Sequence, residues 1–295
     1  MSLTMLAPAK INLTLSVGDR RADGYHELRS VMMAVDLCDR LTLRPRDAKG
    51  ITLRCDDPSL PSGPENLVWR AVEAIAGAAG CGPNVEIELT KRIPAGAGLG
   101  GGSSDAAATL RGLNELGGLG LGTDELTPLA AGLGSDVPFF LHAPVARITG
   151  RGEHVEPLDW RFDGAVALWT PAIHVSTAAV YARHRPTDRP LARNESWLTG
   201  PRLDARTLSE RLYNDLEPAA IAVDGRLGEL RGRLAEIAGR PIRLSGSGSA
   251  MFGLFDTPAE VECVLTEASG RLGLPGRCVR IGPSPDGATG HVAQG

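Results

Sequence analysis

The stretch 93–108 constrains this chain more than any other, because five of the seven residues from Gly96 to Gly102 are glycine. With so few side chains in the way, its backbone N–H groups can approach a ligand closely. Ser103, Ser104 and Asp105 then open an alanine-rich segment, 106–114, that reads as a helix with polar start signals. A glycine loop running into a helix start is an anion cradle, since unpaired amides and the helix dipole converge on one spot. The phosphate chain of a nucleotide is the anion this favours. A plain flexible loop, or close packing that needs small residues, is the ordinary alternative.

Gly96, Gly98 and Gly101 satisfy G-x-G-x-x-G after a strand-like run at 85–90. A dinucleotide site also wants an acidic residue at a strand end about twenty residues further on. Asp124 and Glu125 lie near that distance, but they follow Gly118, Gly120 and Gly122 in what reads as a loop. No lysine follows the glycines, so the nucleoside-triphosphatase P-loop pattern fails.

A chain of 295 residues, 42% hydrophobic and 22% charged, can bury a substantial core in one large domain or two ordinary ones. The net charge of −4 argues against a basic surface for nucleic acid, while leaving room for a local basic pocket. Cysteines at 38, 55, 81, 263 and 278 are odd in number and form no C-x-x-C pair. That argues against a disulfide framework or thiolate zinc site and fits a reducing cytoplasm. Residues 1–5 lack signal-peptide character, and no apolar run reaches the roughly eighteen residues of a membrane span. A soluble cytoplasmic protein, free of nucleic acid and membrane, is expected.

Residues 9–17 alternate polar and apolar, as a half-buried strand does. Residues 18–24 read as a polar turn and 28–35 as a second extended segment. The runs 41–43 and 51–53 look like a strand pair around Lys49-Gly50. Helical spacing covers 67–79, with Asn66 placed to cap it, and helices are also expected at 125–133, 176–181, 224–238 and 258–272. A strand is expected at 165–170, and 186–201 is polar and irregular. Strands and helices mix without strict alternation or repeat, which favours α+β over a doubly wound sheet. Turn residues at 150–163 divide the chain into expected domains 1–155, with the glycine loop, and 156–282, before a tail, 283–295, of disordered composition.

Lys10 and Asn12 project from the same face of the first strand, while Ile11 and Leu13 face the other way. A strand lysine is usually a solvated edge residue, yet two polar neighbours on one face can line a pocket. Asp136 sits between a small-residue turn and the apolar run Val137-Pro138-Phe139-Phe140. A cap is its ordinary role, but a carboxylate held rigidly beside a lysine is what hydroxyl activation for phosphoryl transfer needs. Tyr25 and His26 share a tight turn, and Tyr181 follows Thr177 by one helical turn. Each ring is ordinarily a packing residue; with only 4% aromatics, two rings beside polar partners suit the stacking of a base. Residues 245–249, Ser-Gly-Ser-Gly-Ser, form a second glycine turn, and 214–217 read as a polar helix start.

With these residues set out, the chain resembles the GHMP kinases over nearly its whole length. Three motifs in order carry the likeness: 8–13 (Pro-Ala-Lys-Ile-Asn-Leu), the glycine loop, and 244–249. Residues 21–28, 134–140 and 214–217 are similar to the branch whose acceptor is linked to cytidine diphosphate. The resemblance implies an N-terminal domain like ribosomal protein S5 domain 2 and a ferredoxin-like C-terminal domain. It implies ATP-dependent phosphorylation of the 2-hydroxyl of a cytidine-diphosphate-linked methylerythritol, in the non-mevalonate route to isoprenoid precursors. Asp136 would be the general base and Lys10 its charge partner. Pro94, Gly96, Gly98, Leu99, Gly100, Gly101, Gly102, Ser103 and Ser104 would hold the ATP, with Asn66 near adenine. Tyr25 and Tyr181 would sandwich the cytosine, His26 would bond its edge, and Asn12 would lie near the erythritol. Thr177 and Ser247 would border the acceptor. Mg2+ is implied with ATP, without an assigned protein ligand, and the chain would be a monomer or homodimer. Another small-molecule kinase of the family, acting on homoserine or phosphomevalonate, is the main alternative. A nucleotide-binding protein without catalysis ranks next, and a nicotinamide dehydrogenase last.

Overall fold

Alternation runs well beyond 9–17 in both directions, producing a long antiparallel ribbon of β1 (Ser2–Arg20) and β2 (His26–Pro45). The computed structural model describes residues 2–142, 144–186, 190–193, 195–283 and 289–292. After the ribbon come β3 (Gly50–Cys55), α1 (Leu67–Ala78), β4 (Asn84–Thr90), α2 (Gly101–Leu116), α3 (Thr123–Leu133) and α4 (Phe139–His142). Strands β5 (Val145–Gly150), β6 (His154–Pro157) and β7 (Ala165–Trp169) precede α5 (Thr177–Arg183), a 3-10 turn at Ser196–Leu198, and α6 (Ala205–Arg211). The remainder is β8 (Tyr213–Asn214), α7 (Glu217–Val223), α8 (Arg226–Ala238), β9 (Arg243–Leu244), β10 (Met251–Phe255), α9 (Pro258–Leu272), β11 (Gly276–Val279) and β12 (Thr289–Val292).

The first sheet runs β12-β1-β2-β4-β3, with β5 on the early part of β2, β6 on β5, and β8 on β1. The second is a four-stranded sheet, β11-β7-β10-β9. Strand and helix are therefore mixed, as expected. The expected pairing of 41–43 with 51–53 does not occur: β4 lies between them, antiparallel to β2 (Leu43↔Ile87) and parallel to β3 (Leu53↔Ile87). Val85, Ile87 and Leu89 of β4 all point into the cluster with Val68 and Val72 of α1 and Ala108 of α2. A strand so deeply buried belongs in the sheet interior, and α1 supplies the crossover that a parallel β3–β4 pair requires.

Asn66 caps α1 by accepting from the Val68 amide. Helix α2 starts at Gly101, earlier than expected, because Gly100 adopts a left-handed conformation at the cap. Ser103, Ser104 and Asp105 consequently sit within the helix, the two serines in its first turn, instead of capping it. A division after residue 155 would cut β6, and β8 and β12 return from the second half to the first sheet. The tail expected to lack structure contributes β12, paired antiparallel with Ser2–Met5; 284–288 and 293–295 lie outside the described residues. Among the described residues no helix is long and apolar enough to cross a membrane.

A bulge at Pro8/Ala9 reorients β1. Leu3, Met5 and Ala7 pack with the helices, whereas Ala9, Ile11 and Leu13 join Phe252 and Trp197 on the side of the second sheet. Lys10 and Asn12 thereby face the glycine loop and the turn that follows α3.

Candidate active site

Lys10 is almost fully buried, and its Nζ donates to Asn12 Oδ1 at 2.8 Å and lies 3.6 Å from Asp136 Oδ2. The amide of Asn12 is fixed in turn, donating to Ser30 Oγ at 2.9 Å, while Ser30 donates to the Thr14 carbonyl at 2.5 Å. This chain of bonds aims the ammonium. Asp136 stands in the turn between α3 and α4, closed by a bond from the Val137 amide to the Gly134 carbonyl. The buried Phe139 and Phe140 rings, edge to face at 5.0 Å, anchor the far side of that turn. The Asp136 side chain keeps 34% of its surface exposed, so its carboxylate can meet a ligand.

The glycine loop lies against the second glycine turn. Ser245 Oγ donates to the Gly98 carbonyl at 2.9 Å, the Ala250 amide to the Ala97 carbonyl at 3.0 Å, and the Lys10 amide to the Leu99 carbonyl at 2.9 Å. Asn214, read from sequence as part of a polar helix start in a segment similar to the branch, donates to the carbonyls of Leu244 and Gly246 and so pins that second turn. Gly98 has φ +78°, and a Cβ there would fall 2.2 Å from the Ser245 carbonyl oxygen. Gly98→Ala is expected to cost about 2–4 kcal/mol, from left-handed strain plus overpacking. Gly102→Ala, on an exposed helical position with its nearest neighbour at 3.7 Å, should be neutral or stabilising. Urea unfolding of the two variants measures the contrast.

Two cavities meet at this loop, of about 1000 Å³ and about 360 Å³. Gly98, Gly100 and Ser103 line both. The larger gathers Lys10, Asn12, Tyr25, His26, Asp136, Thr177, Tyr181 and Ser247. The smaller gathers Asn66, Pro94, Gly96, Leu99, Gly101 and Gly102. Every site residue expected from sequence lines one cavity or the other except Ser104, whose hydroxyl is buried without a hydrogen-bond partner. The side chain of Asn66 is already engaged, through its cap and a 2.7 Å bond to the Pro61 carbonyl.

At the far end of the larger cavity, His26 Nδ1 lies 2.9 Å from the Gly18 carbonyl. A carbonyl only accepts, so Nδ1 carries the proton and a neutral ring leaves Nε2 as an acceptor. The Tyr181 ring is 5.5 Å from the His26 ring, and burial pushes its hydroxyl up to about 12, with the Asp136 charge adding to the rise. Tyr25 is half exposed, with the Arg151 guanidinium 5.1 Å from its ring centre. Thr177 Oγ1 and Ser247 Oγ are 2.9 Å apart, joining the start of α5 to the second glycine turn at the cavity wall.

Sequence reasoning missed a buried charge cluster beneath the loop. Lys91 Nζ bonds Asp105 Oδ2 at 2.7 Å and also Asp39, which accepts from the Ile93 amide at 2.8 Å. Burial pushes Asp105 up to about 7; the Lys91 charge opposes that rise and Asp39 adds to it. Burial alone would lower the Lys91 pKa, but Asp105 and Asp39 together hold it above the ordinary lysine value. The cluster ties the residue before the loop to the residue after it. Arg151 in the larger cavity was missed as well.

Residues 66–143, which include Asn66, the glycine loop and Asp136, match the family model described as the GHMP kinases N terminal domain. A protein of Geobacter sp. (strain M21), named 4-diphosphocytidyl-2-C-methyl-D-erythritol kinase, is 42% identical over 86% of this chain and 90% of its own length. The chain belongs to the GHMP kinases. Another kinase of the same printed name, from Citrifermentans bemidjiense, is 40% identical over 94% of this GHMP kinase and 98% of its own chain. A crystal structure of 4-(cytidine 5'-diphospho)-2C-methyl-D-erythritol kinase superposes with a TM-score of 0.78 at 37% identity, covering 95% of this chain and 99% of that one. Homoserine kinase from Cytophaga hutchinsonii, at 20% identity and a TM-score of 0.74 over 96% and 95% of the two chains, shares the fold of this GHMP kinase.

Proposed function

We propose that this kinase transfers the terminal phosphoryl group of ATP to the 2-hydroxyl of 4-diphosphocytidyl-2-C-methyl-D-erythritol, in the non-mevalonate route to isoprenoid precursors. The observation that carries the reading is the double cavity with a shared glycine wall, Lys10 and Asp136 standing on its larger side. ATP occupies the smaller cavity, adenine near Asn66 and phosphates along Pro94, Gly96, Gly98, Leu99, Gly100, Gly101, Gly102 and Ser103; Ser104, buried with its amide bonded to the Gly100 carbonyl, is left out. The acceptor occupies the larger one. Asp136 takes the proton of the 2-hydroxyl as its oxygen attacks, and Lys10 stabilises negative charge on that oxygen and the phosphoryl group in flight. Phosphoryl transfer is mainly a matter of positioning and charge, and the loop amides and helix dipole serve both.

Cytosine lies between Tyr25 and Tyr181, and the free Nε2 of His26 accepts from its exocyclic amine. Asn12 lies near the erythritol, and Thr177 and Ser247 border the acceptor. Mg2+ accompanies ATP in this reading. Among the described residues no group of three or more His, Cys, Asp or Glu side chains offers a protein cage. The site suits an ion held by the phosphates and water, with the Ser103 hydroxyl, on the wall of both cavities, as the available protein oxygen. When bound, the ion neutralises charge on the triphosphate. We keep the two-domain organisation, an N-terminal part resembling ribosomal protein S5 domain 2 and a ferredoxin-like C-terminal part, with the boundary expected at 155/156 moved past the end of β6 at Pro157; the two separate sheets support it.

A coupled ADP-release assay tests the reading. Turnover is expected with 4-diphosphocytidyl-2-C-methyl-D-erythritol, and kcat/KM should fall by roughly 10²-fold or more for the alcohol without its cytidyl group, because remote binding energy positions the hydroxyl. Equal turnover of the truncated alcohol, or a preference for homoserine or phosphomevalonate, would overturn it.

A further inference from the structure

The larger cavity presents two chemistries at its two ends, the Lys10–Asp136 pair and the Tyr25–His26–Tyr181 group. An acceptor that joins sugar alcohol to base through a diphosphate must lay that diphosphate between them. Arg151 is placed at this interval by the backbone around it. It sits in the turn between β5 and β6, where a Cβ on Gly152 would fall 2.6 Å from the carbonyl oxygen of Ser135, the neighbour of Asp136. On its other side Gly150 pairs with Leu28, two residues from His26. The Arg151 guanidinium lies 5.1 Å from the Tyr25 ring centre.

Two neighbouring arginines are spent on carboxylates, and Arg20 of the same cavity donates to the Gly24 carbonyl. Arg147 of the same β5 strand bonds Glu195 and Glu156, and Arg29 across the pairing bonds Glu195. Arg151 differs: among the described residues its side chain has the Tyr25 ring as a contact, and Asp23 and Glu153 only feel its charge. A guanidinium over a ring keeps its N–H edge free for an anion. Among the described residues the cavity wall also carries Lys10 and Arg20 against one carboxylate, Asp136, so it is cationic within a chain of net charge −4.

We propose that Arg151 binds the diphosphate of the acceptor and so selects for a nucleoside-diphosphate-linked substrate, an inference that rests on the acceptor reading above. Planar, forked N–H donors suit phosphate oxygens better than a lysine ammonium does.

The test compares cytidine, CMP and CDP by titration calorimetry, with a non-hydrolysable ATP analogue saturating the nucleotide cavity. Wild-type affinity is expected to rise from cytidine through CMP to CDP. In Arg151→Gln, CDP affinity should drop at least about 10-fold with cytidine affinity held, and Arg151→Lys should recover part of the loss. The KM for the full acceptor should rise in step while the KM for ATP holds. An unchanged CDP affinity, or equal losses for cytidine and CDP, would overturn the assignment, the second because Arg151 would then act only through Tyr25. Failure of the wild-type protein to bind cytidine or CDP would instead overturn the acceptor reading, and this inference with it.

Discussion

Asp136→Asn is expected to lower kcat by about 10²–10⁴-fold while leaving the fold intact. The amide matches the carboxylate in size but cannot take a proton from the acceptor hydroxyl. Little of the architecture depends on the lost charge. The Asp136 side chain is one-third exposed and its ion pair with Lys10 is long, at 3.6 Å, while Lys10 keeps its bond to Asn12. The change in thermal midpoint should therefore be within a few degrees of zero. Coupled ADP release and a thermal melt on the same preparation separate the two effects. A variant that kept the wild-type rate would remove Asp136 from the role of base.

Lys91→Met carries the largest expected cost in stability. It leaves Asp39 and Asp105, both almost wholly buried, facing each other without their shared cation. Removing one partner from a buried ionic cluster costs about 3–5 kcal/mol, on the order of 10 °C in thermal midpoint for a chain of this size. The cost should depend on pH. Asp105 is pushed up to about 7 in the folded protein from an ordinary 3.8, so between those values the folded state holds a proton that the unfolded chain has released. Its contribution to stability thus falls as pH rises through that window. Without Lys91 the carboxyl holds its proton still more tightly, and the deficit of the variant should shrink between pH 8 and pH 5. Urea unfolding of both proteins at the two pH values reads the difference. A deficit that stays constant or grows at pH 5 would contradict the account.

What was legible in the sequence was local. Asn66 caps α1, and 258–272 coincide with α9, because capping and periodicity are written in adjacent residues. The shared face of Lys10 and Asn12 follows from the two-residue period of a strand. The position of β4 between β2 and β3 was not legible, since any of three apolar strands satisfies the same alternation and burial of all three decides their order. The Lys91 cluster draws on residues 39, 91 and 105, which share no spacing, and only the fold brings them together. Asn214 was legible only as part of a segment similar to the branch, without its role of pinning the second glycine turn, and Arg151 carried no signal beyond ordinary turn chemistry. The start of α2 was misjudged because Gly100, not a serine, performs the capping turn.

One covalent ribbon bears both ends of the acceptor site, with Lys10 and Asn12 midway along β1 and Tyr25 and His26 where the chain doubles back into β2. Hydrogen bonding between the two strands makes it a stiff ruler. The span from base to reacting oxygen is gauged by the ribbon. Acceptors a few ångströms too short or too long would then be refused by geometry before any chemistry begins.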